Sequence, residues 1–345
     1  MSDRTFVRRT LIVLALAALA ILFWELRSLL LMLFGAVVVA TVFRSLADRI
    51  CKLTKVRESL AVAISIFVVL GAMAGLVALF GTQVGRQVQT LGETLPAAWQ
   101  SFEQRVGDLG LGDQLRQLAD GVRQSSGSFA NLSRAVMSVG NGIAEVLIVL
   151  FGGIYLAAQP RIYKAGALKL IPSARRTLVA EAMDESENAL RLWLKGQLIA
   201  MVAVGLLTGV GLWLLGVPSA LVLGLLAGLL EFIPFLGPIL SAVPGVLLAL
   251  AVSPDLALAV LLLYTAVQQF EGYVITPLVQ QYAVELPGVI LLFSLLGFGM
   301  LFGTLGVILA APLTVVCYVL VKRLYVIETL HTPTPIPGEE RGKES

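Results

Sequence analysis

From Gly196 to Val321 the chain runs for 126 residues without a lysine, arginine or histidine, and its only acids there are Glu231, Asp255, Glu271 and Glu285. A water-soluble domain needs basic side chains on its surface, whereas a bilayer interior excludes them. Composition extends the point to the whole chain: 58% of the 345 residues are hydrophobic and 14% are charged, with a mean hydropathy of +0.90. Several apolar runs approach the roughly 20 residues that cross a bilayer. The expected fold class is an all-α polytopic membrane protein with about eight transmembrane segments, and with broken or re-entrant helices in its C-terminal half.

The break is written into residues 229–244, which read L-L-E-F-I-P-F-L-G-P-I-L-S-A-V-P. Pro234, Pro238 and Pro244 lack a backbone donor, and each biases the residue before it away from the α region. A helix must therefore stop between about Phe232 and Pro238. Broken backbone at membrane depth is tolerated only where it is buried in protein or lines a wet cavity. Glu231, beside the break, meets the same restriction. Two readings follow: a kinked helix with Glu231 at the interface, or a broken element near a transport site.

The N-terminal half supplies the frame. Arg4, Arg8 and Arg9 precede an apolar run over residues 11–24, and a second run covers 29–43. No small-residue cleavage site follows the first, so it is read as a retained span rather than a leader. The short polar link at 25–28 predicts a tight hairpin of two spans. The loop 44–58 carries Arg44, Arg49, Lys52, Lys55 and Arg57 against Asp48 and Glu58, which makes it cytoplasmic by the positive-inside rule. A third span over 59–81 contains Gly71-xxx-Gly75 and completes an N-terminal unit, residues 1–81.

Residues 82–141 balance five arginines with five acids and repeat apolar residues at helical spacing, as at Phe102, Val106 and Leu109. They are expected to form an extracytoplasmic insert of amphipathic helices. Next comes a unit of residues 142–195, with a fourth span at 142–158 and a basic cytoplasmic stretch whose helix starts near Pro172-Ser173 and ends near Lys195. Its acids Glu181, Asp184, Glu185 and Glu187 fall on different sides of that helix and read as a solvated face.

The transport core is assigned to residues 196–323 and a disordered tail to 324–345. After a fifth span at 197–216 come apolar pieces at 220–230, 239–252, 256–267, 289–298 and 305–320, several too short to cross alone. One arrangement makes 220–252 a re-entrant hairpin turning at Ile233-Pro234, and 289–320 a second one turning within 297–306. In the other, some pieces are full, kinked spans. A weak echo at an offset of 43 relates Pro234 to Pro277 and Pro244-Gly245 to Pro287-Gly288. Paired interruptions of this kind point to binding sites in secondary transporters.

A second polar constellation is Gln268-Gln269-Phe270-Glu271, with Thr276-Pro277 and Gln280-Gln281 behind it. A carboxylate flanked by amides can take a proton, a small cation or the donors of a polar solute. It can equally be an interfacial cap. Catalysis has little to work with. His331 is the only histidine, Cys51 and Cys317 do not suggest a pair, and H-E-x-x-H, G-x-S-x-G and Walker A motifs are missing. No enzyme activity, metal or cofactor is expected, nor is a nucleic-acid partner.

Three motifs together resemble the autoinducer-2 exporter family, also called PerM-like permeases. They are Glu231-x-Ile233-Pro234-x-x-Gly237-Pro238 with Pro244, then Gln268-x-x-Glu271-x5-Pro277, then Gly303-x-x-Gly306-x-x-x-Ala310-Ala311-Pro312. The chain departs from the family pattern at Tyr273, Gln281 and Glu285-Leu286. The resemblance implies a multi-span secondary transporter of the bacterial inner membrane, homo-oligomeric, with a pentamer as the implied count. It also implies export of an autoinducer-2-like polar solute or, in the alternative, sodium/proton exchange.

On this reading both termini are cytoplasmic, and the partners are the lipid bilayer and a small polar solute, monovalent cation or proton. The expected pathway uses Glu231, Glu271, Gln268 and Gln269. Pro234, Gly237, Pro238, Pro244, Pro277, Gly303, Gly306 and Pro312 would supply its broken backbone. A competing class is a membrane scaffold that assembles through Gly71-xxx-Gly75, Gly205-xxx-Gly209 and Gly224-xxx-Gly228.

Overall fold

In the computed structural model, residues 3–75, 78, 139–277, 286–332 and 334 are described. The expected insert therefore lies outside the described residues except at its last few positions. So do the end of the third span, Gln280, Gln281 and Glu285, and most of the tail. The described residues contain helices and no strand. In chain order these are α1 (Asp3–Glu25), α2 (Arg27–Thr54), α3 (Glu58–Gly75), α4 (Val139–Ala158), α5 (Pro160–Lys169), α6 (Arg176–Leu214), α7 (Ala220–Leu230), α8 (Leu236–Val252), α9 (Pro254–Phe270) and α10 (Gly288–Val321). Turns of π-helix extend α9 over Glu271–Ile275 and α10 over Lys322–Ile327. The chain is thus an all-helical polytopic membrane protein. By length and composition alone, five helices among the described residues, the broken α10 included, could cross a bilayer, and the α4–α5 pair, bent by 93°, would make a sixth.

The expected N-terminal hairpin is not what joins α1 to α2. Helical bonding runs on through the junction, from Leu26 N to Leu22 O and from Leu30 N to Leu26 O, each at 2.9 Å. Beyond the junction the two helices hardly touch. Glu, Leu and Arg at 25–27 are good helix formers, and no glycine or proline breaks the ladder there. Leu26 bends it at ψ 1°. Arg27 braces that bend, donating to Trp24 O at 2.8 Å with its guanidinium 4.4 Å from the Trp24 ring centre.

The cytoplasmic helix and the fifth span, expected as two pieces meeting near Lys195, are one helix, α6. Its buried residues Ala189, Trp193, Gly196, Ala200, Val204, Thr208 and Leu212 continue at a spacing of three or four through the expected boundary. A change of polarity on the exposed side does not interrupt a buried stripe. α6 borders two of the three hydrophobic clusters. One holds Val204, Leu223, Ala227, Ala249 and Val260, from α6 to α9. The other joins Leu31 of α2, Leu190 and Trp193 of α6, and Leu309, Val315 and Val319 of α10. α2 leads into the third cluster, where Phe43 and Ala47 meet Ala61, Val62 and Ala157.

The acids at 181–187 are largely exposed, as a solvated face should be, and each also has an ion-pair partner. Asp184 pairs with Lys164 of α5, Glu181 and Glu185 with Arg323 beyond α10, and Glu187 with Arg191. Arg191 in turn holds Asp48 of α2 at 2.5 Å. Facing different sides of α6 lets these acids, together with Arg191, tie it to three other elements. Two glycine motifs ascribed to the scaffold are used within the chain. A Cβ at Gly224 would lie 2.5 Å from the Gly209 Cα, and one at Gly228 would lie 3.1 Å from the Gly205 Cα. Bare backbone is what allows α6 and α7 to approach so closely. Among the described residues Gly71 and Gly75 have no neighbour of that kind.

Candidate solute and ion site

The ladder of α7 tightens before it stops. Glu231 N bonds to Ala227 O at 3.0 Å, but Phe232 N and Ile233 N reach back only three residues, to Leu229 O and Leu230 O. Pro234 then offers no N–H. Leu236 N bonds to Pro234 O at 2.8 Å across Phe235, whose φ of 65° and ψ of −44° make a strained γ-turn. Gly237 N returns to Ile233 O at 2.8 Å and starts α8. A Cβ at Gly237 would stand 2.0 Å from Leu230 O, so only glycine lets the new helix begin against the old one's end. Pro238 falls in the first turn of α8, where a missing donor costs nothing. Pro244 lies inside α8, and the adjacent Gly245 packs on the Tyr264 ring.

This construction sets Glu231 at the foot of α7 with 5% of its surface exposed. Gln197 of α6 donates from Nε2 to the Glu231 backbone O at 2.6 Å. The Glu231 Oε2 atom is buried without a hydrogen-bond partner among the described residues. Phe232 stacks edge-on against Trp193, with ring centres 5.9 Å apart, and pins the break to α6.

Glu271 is held differently. It begins the π-helical turn after α9, and both carboxylate oxygens accept: Oε2 from Gln268 Nε2 at 3.0 Å and Oε1 from Thr276 Oγ1 at 2.5 Å. It is half-buried, and the two carboxylates lie within electrostatic reach of one another. Of the expected site residues, Gln268 is thus bonded to Glu271, and Glu231 lies within electrostatic reach of the latter. Gln269 points to the exposed side of α9, and Pro277 follows the π-helical turn at an exposed position.

The third motif makes a second break. Gly303 has φ 66° and ψ −145°, a conformation open to glycine alone. A Cβ at Gly306 would lie 2.0 Å from Phe298 O, eight residues back. In an unbroken helix that separation is about 12 Å along the axis. α10 therefore folds back at Gly303, and Pro312 is buried in its second arm. Phe302 and Leu305, flanking this turn, pack on the cluster that also receives Phe232. Both breaks lean on the surroundings of Trp193. The echo at an offset of 43 has no counterpart in local structure: Pro244 is inside a helix while Pro287 precedes one.

Gln197 and Trp193 were not singled out from sequence. Gln197 carried a usable signal, since it is the only amide between Gly196 and Val267.

The sequence pattern of the AI-2E family of transporters matches residues 11–325. The chain belongs to this family. Among curated relatives, this AI-2E family transporter is 28% identical to YrrI of Bacillus subtilis (strain 168) over 61% of each chain. It is 25% identical to YueF of the same organism, over 79% of this chain and 77% of the relative. TqsA of Escherichia coli (strain K12), named an AI-2 transport protein, is 24% identical over 76% of each chain. The match with YrrI thus spans less than two thirds of that protein's length.

Proposed function

We propose that this AI-2E family transporter is a secondary transporter that exports a small polar solute of the autoinducer-2 kind across the bacterial inner membrane, with Glu231 as its coupling group. The observation that carries the reading is the buried, unpartnered Oε2 of Glu231 beside a strained helix break. A carboxylate in apolar surroundings is costly unless a proton or cation joins it, so occupancy of Oε2 is tied to the state of the break. Glu271, Gln268 and Thr276 form a polar wall on which solute hydroxyls can exchange hydrogen bonds. The name of TqsA supports the solute class. The basic loop between α2 and α3 supports a cytoplasmic setting for that end. Gly71-xxx-Gly75, which no described residue covers, is the proposed contact of a homo-oligomer.

The unpartnered carboxylate oxygen also favours a second reading, sodium/proton exchange without an organic solute. Proteoliposomes separate the two: uptake of labelled autoinducer-2 driven by a proton or sodium gradient is expected, and is expected to fall at least about tenfold in Glu231→Gln. Ion exchange without solute flux would select the second reading. Undiminished solute flux in Glu231→Gln would remove Glu231 from the pathway.

A further inference from the structure

A pocket of about 360 Å³ opens between α2 and α6, lined among others by Asp48, Arg49, Lys52, Arg191 and Lys195. Four cations there face one carboxylate. Arg191 is engaged with Asp48 and Glu187. Among the described residues Arg49, Lys52 and Lys195 have neither an ion pair nor a side-chain hydrogen bond. The structure thus gathers three uncompensated cations, plus the ordered fork of Arg191, around a cavity large enough for a phosphate-bearing group.

The height of the pocket follows from the chain itself. Lys195 is the last base before the 126-residue stretch that has none. One, two and three turns further, the same face of α6 presents Leu198 and Ile199, then Val202, then Leu206, exposed by 59%, 58%, 56% and 63%. A charged cavity thus opens directly onto an uncovered apolar strip along one helix. A soluble anion has no use for the strip, whereas a molecule with a phosphate at one end and hydrocarbon at the other matches both parts.

We infer that this pocket binds the headgroup phosphate of an anionic phospholipid, whose acyl chains lie along Leu198, Ile199, Val202 and Leu206. Basic pockets between membrane helices hold anionic headgroups in this way, and each cation near the surface is worth about fivefold in affinity. The site is separate from Glu231 and Glu271 and does not depend on which solute is moved. By bridging α2 and α6 the lipid would add to the Arg191–Asp48 pair that already joins them.

The test is native mass spectrometry of the full chain in neutral detergent, titrated with phosphatidylglycerol, phosphatidylcholine or glycerol 3-phosphate. Phosphatidylglycerol should bind the parent more tightly than phosphatidylcholine. Lys52→Gln with Lys195→Gln should weaken phosphatidylglycerol about 25-fold, and Arg49→Gln about fivefold. Arg57→Gln, which removes an exposed cation outside the pocket, should leave it unchanged. Equal phosphatidylglycerol affinity in the parent and the double variant would overturn the site. Phosphatidylcholine binding the parent as tightly as phosphatidylglycerol would do the same. Glycerol 3-phosphate binding as tightly as phosphatidylglycerol would reassign the pocket to a soluble anion and overturn the lipid.

Discussion

Glu231 and Glu271 are carboxylates at the ends of apolar helices, forty positions apart and near one another in the fold, yet they are built in opposite ways. Around Glu231 the backbone is strained and the side chain is left short of partners, with a γ-turn at Phe235, an amide spent on the main-chain carbonyl and one buried oxygen unbonded. Around Glu271 the side chain takes two donors and the backbone only widens into a π-helical turn. The first arrangement invites a change of occupancy, while the second resists one. On the proposed function, two acids that look equivalent in sequence would serve as a coupling group and a fixed wall.

The largest expected effect attacks the backbone that creates the difference. Gly237→Ala places a methyl group 2.0 Å from a carbonyl oxygen and should cost at least about 4 kcal/mol, read as a collapse of the melting temperature in detergent. An unchanged melting temperature would show that the break relaxes freely and is not strained.

Replacing each acid by leucine then separates their roles. Glu231→Leu should abolish coupled flux yet stabilise the fold by about 1–3 kcal/mol, because it removes an unsatisfied buried polar group. Glu271→Leu should destabilise by about 2 kcal/mol, since it strands the Gln268 amide and the Thr276 hydroxyl. Parallel stability changes in the two variants would erase the contrast. Thr276→Val, which removes one donor to Glu271, should cost about 1.5 kcal/mol, and an unaltered thermal midpoint would count against that bond. The smallest effect is Gln197→Ala at about 1 kcal/mol. It leaves the Glu231 carbonyl without its amide and should lower flux more than stability if the amide steadies the break.

How far these features can be read from sequence depends on how local their causes are. Pro234 and Pro238 announce the break because a missing N–H acts on its own neighbours, and Gly303 and Gly306 announce the second for a related reason. The positive φ of Phe235 is illegible, because an aromatic residue adopts it only when the helices on both sides are pinned, as Gly237 and Trp193 pin them. Gln197 escapes notice because its acceptor is a backbone carbonyl 34 residues away. The acids at 181–187 are legible as a solvated face, but their ion-pair partners are not, since Arg323 lies 142 residues from Glu181. At the N-terminus a short polar link between apolar runs reads as a turn, although residues 25–27 contain nothing that stops a helix.

One last consequence follows from α6 being a single rod. At 39 residues it is about 58 Å long. Its amino-terminal half is lashed by ion pairs to α2, α5 and the turn after α10, while its carboxyl-terminal half carries Gln197 and the glycines that cradle α7. A tilt of about ten degrees about one end of such a rod would sweep the other through about 10 Å, and would so couple the charged fastenings of its amino-terminal half to the helix break beside Gln197.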